Sequence, residues 1–292
     1  MSHDDPGLPG ALADADFLVV LGPVSRSMVQ AAPRLKFIQV QAAGYEGVDL
    51  QAAAARGIPV ATVGGAGAAS VAEHAVVLIL SLFRRLPVAD AAIRDGQWPQ
   101  IQYFDEGVVR ELAGATVGLV GFGHIGQAVG RIVRGFGAQV VYYRRTRLIE
   151  ERERECGVRY LAFDDLLRTS DAVSVQVPLT DQTRGLIDAR ALGLMKPTAV
   201  LINVSRGDVM DEAALVDALA SGRIGGAGLD VFHTEPLPPD SALRRLPNVV
   251  LTPHIGGAAV QAIERIFDAV FINLRRVAAG QPPLWPVERA ED

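Results

Sequence analysis

Between residues 116 and 252 the chain repeats one pattern: a short β-branched run, a stretch with helical spacing, then another such run. Thr116–Val120, Gln139–Tyr143, Ala172–Val175, Ala199–Ile202, Ala227–Asp230 and Val249–Leu251 read as strands. Ile125–Phe136, Phe163–Arg168 and Asp211–Ala220 read as helices between them. Repeated strand–helix–strand units demand a parallel sheet with helices on both faces. A shorter version comes first, with strands at Asp16–Leu21, Lys36–Val40 and Ile58–Ala61 and a helical pattern around Ser25–Ala32. Val71–Phe83 is apolar nearly all round and reads as a buried helix. Val260, Ile263, Phe267, Val270 and Leu274 share one face of a later helix. With these helices, near 70–85 and 258–279, as connections, the chain crosses twice between two domains. The expected division is 1–88 with 262–292, and 89–261; a length of 292 residues suits two domains.

Gly121-Phe122-Gly123-His124-Ile125-Gly126 is a G-x-G-x-x-G that follows an apolar strand and opens a helix. In that setting the first glycine permits the tight turn. The second lets a pyrophosphate approach the backbone, and the third lets helix and strand pack closely. The helix start offers free N–H groups and a positive dipole end to phosphate. The acid that would hold an adenosine ribose is expected about 20 residues on. Arg144, 23 positions after Gly121, stands there instead, followed by Arg145. Arginines cannot accept from ribose hydroxyls but bind a 2′-phosphate through forked, charge-assisted hydrogen bonds. The expectation is a preference for NADP(H) over NAD(H). The alternative, surface arginines with NAD bound, stays open.

Hydride transfer to a carbonyl needs a proton donor and a positive group for a substrate anion. His3 is in the tail, His74 reads as a packed, hydrogen-bonded core residue, His124 lies in the glycine loop, and His233 lies just beyond a strand. His254 follows the strand Val249–Leu251 and precedes Gly256-Gly257, so it lies beyond a strand's C-terminal end, where open α/β sheets bind ligands. Arg206 and Glu235 follow other strands in the same way. A carboxylate beside His254 would stabilise its imidazolium as proton donor, and Arg206 would hold a substrate carboxylate and polarise the carbonyl. On spacing alone, the reading of Glu235 as a loop carboxylate before a proline-rich turn would win.

Composition removes other classes. Hydrophobic residues at 49% and charged residues at 21% exclude a disordered chain. A net charge of −5 speaks against a nucleic-acid or anionic-lipid surface. The lone Cys156 excludes an internal disulfide and a multi-cysteine metal site, and no metal is expected. Met1–Asp5 is acidic without a signal-peptide pattern, and the apolar run Ala75–Phe83 is too short to cross a bilayer. The chain reads as soluble and cytoplasmic. The charge run Glu150–Glu155 reads as a solvated helical turn.

The stretches VAEHAVVLIL, GLVGFGHIGQAVG, VPLTDQTRGLI, MKPTAVLINVSRG, AGLDVFHTEPLP and NVVLTPHIGG, in this order, resemble the D-isomer-specific 2-hydroxyacid dehydrogenase family from about Ala42 to the C-terminus. The resemblance implies a doubly wound dinucleotide-binding domain inserted in a smaller flavodoxin-like α/β substrate domain. It implies reduction of a small 2-oxo acid, such as glyoxylate or hydroxypyruvate, to the (R)-2-hydroxy acid with NAD(P)H. Arg206, Glu235 and His254 become the catalytic trio. Gly121, Gly123, His124, Ile125, Gly126, Arg144, Arg145, Val177, Pro178, Thr183, Val204, Asp230, His254 and Gly256 would line the cofactor, with Asp230 at the nicotinamide carboxamide. The backbone of Ala43-Gly44-Tyr45, with Arg206 and His254, would bind substrate. The resemblance also implies a homodimer formed through the cofactor domains, helped by the Asp95–Glu111 arm. Arg144 departs from the family acid. Gly67-Ala68-Ala69-Ser70 departs from an asparagine that many members carry near the interdomain helix. Family members begin with a further strand and helix, roughly 30 residues, before the region matching Ala11–Leu21. The expectation is therefore an upstream start or a substrate-domain sheet without its central strand. Two other classes compete: a non-catalytic, corepressor-like dinucleotide sensor of the same fold, disfavoured by the intact Arg, Glu and His, and another nucleotide-using α/β enzyme such as a methyltransferase, which needs no such trio.

Overall fold

The β-branched runs do become strands, and the contacts sort them into two units. The structure, a computed structural model, describes residue 5 and residues 7–287. His3 and most of the acidic start lie outside the described residues. One unit holds the chain up to Gly67 together with the part from Ala259; the other is Ala68–Ala258.

The outer unit contains α1 (Leu8–Asp14), β1 (Phe17–Val20), α2 (Arg26–Ala31), β2 (Phe37–Val40), α3 (Leu50–Ala55) and β3 (Val60–Ala61). Ser25 and Asp49 cap α2 and α3 by accepting from Met28 N and Ala52 N. The three strands pair in parallel in the order β1-β2-β3. Val20, Val29, Leu35, Ile38, Val40 and Val60 form part of the core between sheet and helices.

The inner unit contains α4 (Ala68–Phe83), α5 (Leu86–Arg94), α6 (Gln100–Glu106), β4 (Thr116–Val120), α7 (His124–Gly135), β5 (Gln139–Tyr143), α8 (Glu150–Cys156), β6 (Arg159–Tyr160), α9 (Phe163–Thr169), β7 (Ala172–Val175), α10 (Ala189–Leu194), β8 (Val200–Asn203), α11 (Glu212–Ala220), β9 (Gly226–Leu229) and β10 (Val249–Leu251). Its seven strands are all parallel, in the order β10-β9-β8-β7-β4-β5-β6. Alternate residues feed two cores. Val173, Val175 and Leu201 point to the face covered by α9, α10 and α11; Ala172, Val200 and Ile202 point to the face covered by α4 and α7. The strand order reverses between β7 and β4, so the glycine loop after β4 opens at the switch point where such sheets bind ligands. No helix among the described residues is long and apolar enough to cross a membrane.

Two expectations about helices change, and the contacts place the passages between the units. By its contacts the chain passes between the units at Gly67, because α4 packs on α7, β8, β9 and β10 and so belongs to the inner unit. The second passage falls at Ala258, so α12 (Val260–Ala278) begins in the outer unit. Helix α4 is not buried all round, since Glu73 and Val77 stay exposed one turn apart. The buried stripe of α12 keeps only the second half of the expected one, Val270 and the half-buried Leu274. Val260, Ile263 and Phe267 are exposed, whereas Ala262, Ala269, Val270 and Asn273 are buried. Small residues bring the helix close, and Asn273 donates to Gln39 Oε1 at 2.8 Å and to Leu284 O at 3.0 Å. An apolar count could not foresee a seam that adds alanines and a buried asparagine to Val270.

Candidate active site

The strands β8, β9 and β10 are neighbours in the sheet and run in the same direction, so their C-terminal ends emerge side by side. Arg206 follows β8, Glu235 follows β9 and His254 follows β10. All three expected catalytic residues thus belong to one unit and one edge of one sheet.

Each is held by local chemistry. Buried Asn203 ends β8 and shapes the next turn: its Oδ1 accepts from Ser205 N at 3.0 Å and from Ser205 Oγ at 2.8 Å, and its Nδ2 donates to Arg206 O at 2.9 Å. Arg206 is half-buried, with Nη1 donating to Ser205 O at 2.7 Å. Gly207 follows because the Phe232–His233 backbone passes through the space of a side chain; a Cβ there would stand 2.0 Å from Phe232 C. That close approach joins the Arg206 loop to the Glu235 loop. Glu235 Oε1 accepts from Phe232 N at 3.0 Å, and Oε2 lies 2.8 Å from His254 Nδ1. His254 has a left-handed backbone, φ 56°. Such a conformation in a non-glycine residue costs about 1–3 kcal/mol and persists only where its surroundings impose it. A cavity of about 550 Å³ adjoins the pair, lined also by Phe232, Pro236, Leu237, Arg244, Leu251 and Pro253.

His233 is near this site but engaged elsewhere, its Nδ1 2.5 Å from Asp208 Oδ1. Asp208 also pairs with Arg184, beside Thr183. The loop after β7 is ordered by Thr183, whose hydroxyl donates to Pro178 O at 2.6 Å. Val177 and Thr183 are half-buried, Pro178 is exposed and Val204 is buried.

The glycine loop fits a dinucleotide. Gly121 has φ 96°, and its carbonyl accepts from Gln176 Nε2 at 2.9 Å. A Cβ at Gly126 would meet Gly121 O at 2.4 Å, whereas one at Gly123 would meet nothing within 4 Å. Gly126 therefore serves packing, and Gly123 faces open space where a diphosphate can approach. His124 and Ile125 open α7 there, His124 exposed and Ile125 half-buried. Past β5, Arg147 closes a bidentate pair with Glu153, Nε to Oε1 at 2.7 Å and Nη2 to Oε2 at 2.9 Å. Tyr142 Oη donates to Glu153 Oε1 at 2.8 Å and accepts from Leu148 N at 2.9 Å. Burial, reinforced by Glu153, pushes the Tyr142 hydroxyl up to about 12. The charge run is thus partly structural: Glu153 is buried and anchors this loop. Arg144 and Arg145 make no side-chain hydrogen bond or ion pair among the described residues.

Asp230, at the end of β9, is 2% exposed. It accepts from Thr252 Oγ1 at 2.6 Å, Ile255 N at 2.9 Å and Gly256 N at 2.8 Å. Burial pushes its carboxyl up, but these bonds and His74 together outweigh burial and hold it below the ordinary carboxylate value. In the outer unit, Ala43-Gly44-Tyr45 form an irregular loop after β2, and their N–H groups make no hydrogen bond among the described residues of that unit. Among the described residues no cluster of three or more His, Cys, Asp or Glu could hold a metal.

Sequence reasoning missed Asn203, Glu153 and the helix residues Ser70 and His74 as builders of the site. The N-x-S order at 203–205 is a side-chain-to-backbone turn signal that could have found the first.

Residues 76–256 match the model of the D-isomer specific 2-hydroxyacid dehydrogenase NAD-binding domain. A glyoxylate reductase of Thermococcus litoralis is 42% identical over 277 residues, covering 92% of this chain and 82% of that protein. The crystal structure of a glyoxylate reductase from Paecilomyes thermophila superposes with a TM-score of 0.87 at 31% identity, covering 98% of this chain and 88% of that one. An acyclic imino acid reductase in complex with NADPH and D-Arg superposes with a TM-score of 0.87 at 28% identity, covering 98% of this chain and 91% of that one. With the family model spanning more than half of the chain, the protein belongs to the D-isomer-specific 2-hydroxyacid dehydrogenase family and is a nicotinamide-dependent oxidoreductase acting on the CH–OH group.

Proposed function

We propose that the protein works in the cytoplasm as a reductase of a small 2-oxo acid, glyoxylate or hydroxypyruvate first, forming the (R)-2-hydroxy acid with NADPH preferred. The observation that carries this reading is the 2.8 Å contact of Glu235 with His254, which with Arg206 follow three adjacent strands. Gly121–Gly126, Val177, Pro178, Thr183, Val204, Asp230 and Gly256 would hold the dinucleotide, with the diphosphate at the glycine loop, and its reduced nicotinamide would supply the hydride. His254 Nε2 gives its proton to the carbonyl oxygen, while Glu235 at Nδ1 holds the ring and balances its charge. Arg206 grips the substrate carboxylate and polarises the carbonyl, joined by N–H groups of Ala43, Gly44 and Tyr45. The glyoxylate reductases among the relatives support the substrate class. Arg144 and Arg145, unengaged while Arg147 is spent on Glu153, support a 2′-phosphate. The NADPH-bound imino acid reductase of the same fold agrees with that choice.

The deciding experiment follows NADPH and NADH oxidation with glyoxylate, hydroxypyruvate, pyruvate and phenylpyruvate. Turnover with a small 2-oxo acid, lost in His254→Ala with dinucleotide binding retained, supports the reading. Turnover that survives in His254→Ala removes the proton-donor role, and higher kcat/KM with NADH removes the cofactor preference.

A homodimer is part of the same reading. Trp98, Ile101 and Phe104, on and before α6, are 77%, 74% and 79% exposed, more apolar surface than a monomer's arm needs. Sedimentation should give a dimer, and Trp98→Ser with Phe104→Ser a monomer; an unchanged mass in the double variant would place the contact elsewhere.

A further inference from the structure

Ser70 and His74 sit one turn apart on α4 and share a face. Both reach the loop that carries His254. Ser70 Oγ donates to Gly256 O at 2.6 Å. His74 Nε2 lies 2.8 Å from Thr252 Oγ1 and 3.3 Å from Asp230 Oδ1. A carboxylate can only accept, so the single hydroxyl proton of Thr252 goes to Asp230 Oδ1, 2.6 Å away. The Thr252 oxygen then accepts, and His74 Nε2 carries the proton that it donates. The chain of donation runs His74 to Thr252 to Asp230, and Asp230 in turn takes the N–H groups of Ile255 and Gly256.

The loop is therefore held on both sides of His254: at Thr252 before it, and at Ile255 and Gly256 after it. Between these anchors Pro253 has no N–H to give, and His254 keeps its φ of 56°. Nothing in His254's own side chain would impose that backbone.

We propose that His74 and Ser70 are positioning residues for the proton donor: through Thr252, Asp230 and Gly256 they impose the turn that places His254 Nδ1 against Glu235. Neither residue needs to touch substrate. The inference rests on His254 being the proton donor. A misplacement of about 1 Å at a reacting group costs about 100-fold in rate, so a loosened turn shows in kcat. The 2-oxo acid carboxylate is held by other groups, so KM for the acid changes little.

The test compares His74→Leu, His74→Gln and Ser70→Ala with the unaltered enzyme and with His254→Ala. Glutamine keeps an N–H donor; leucine keeps bulk only. His74→Leu is expected to lower kcat about 10- to 100-fold with KM for the 2-oxo acid nearly unchanged, and His74→Gln to recover most of it. Without any substrate or dinucleotide, hydrogen exchange at the Ile255 and Gly256 amides is expected to speed up in His74→Leu while that of β4 and α7 stays unchanged. Unaltered kcat in His74→Leu, or a glutamine variant as slow as the leucine one, overturns the proposal. If His74→Leu does not fold, Ser70→Ala decides: a fall in kcat at constant KM supports it and an unaltered kcat overturns it. Turnover that survives in His254→Ala would sink the underlying reading instead, which separates the two failures.

Discussion

Glu235 stands with one carboxylate oxygen 2.8 Å from His254 Nδ1 and the other 3.0 Å from Phe232 N. The backbone bond fixes the carboxylate, so the carboxylate can fix the ring. Nε2 is then left as the free proton-carrying atom of a half-exposed imidazole. Glu235→Gln keeps shape and removes charge. Steady-state kinetics should show kcat lower by about 100-fold, within the range of acid–base contributions, with KM for the 2-oxo acid little changed. An unchanged kcat would reduce Glu235 to a loop carboxylate.

The glycines of the phosphate loop separate folding from binding. A Cβ at Gly126 would lie 2.4 Å from Gly121 O, whereas one at Gly123 would enter open space. Gly126→Ala should cost about 1–3 kcal/mol by overpacking, read as a lower Tm. Gly123→Ala should keep Tm and weaken dinucleotide binding about tenfold, because a methyl group blocks close approach to the helix N-terminus. Thermal melts and a fluorescence titration with NADPH check both. Reversed effects would mean that the diphosphate sits elsewhere.

These contrasts mark where sequence reasoning reached and where it stopped. The glycine loop and the β4–β5 unit were legible because each depends on neighbours close in the chain, whereas Arg206, Glu235 and His254 stood out only by lying beyond strand ends and by the family resemblance. The order in which β8, β9 and β10 lie in the sheet was not legible, since sheet order is set by long-range packing. The same holds for Ser70, which meets Gly256 across 186 positions. β6 escaped because Arg159–Tyr160 is only 2 residues and has no period. The α12 face was only half legible because its seam joins Val270 to two alanines and Asn273 rather than to further large apolar residues.

Cofactor choice should divide the arginines after β5. Arg144 and Arg145 are unengaged, while Arg147 is locked to Glu153 and stacks 5.4 Å over the Tyr160 ring. Arg144→Ala should lower kcat/KM for NADPH about 10- to 100-fold, the worth of one or two charged hydrogen bonds, and leave NADH alone. Arg147→Ala should lower Tm and affect both cofactors alike. Equal loss for both cofactors in Arg144→Ala would remove the 2′-phosphate assignment.

Tyr142 gives the network a pH signature. Buried against Glu153, its hydroxyl is pushed up to about 12, from about 10 in an unfolded chain. The sign follows from linkage. Below about pH 10 both states hold the proton, and the stabilisation is fully present. As pH rises from about 10 towards about 12 the unfolded chain loses the proton while the folded protein keeps it. The unfolded state then binds fewer protons, so stability falls with pH across that window. Tyr142→Phe cannot ionise. Its urea-unfolding midpoint should be lower than that of the unaltered protein at pH 8, since Leu148 N and Glu153 lose a partner. The gap should narrow on going to pH 11. A gap that is constant or grows with pH would show that Tyr142 does not hold its proton in the folded protein.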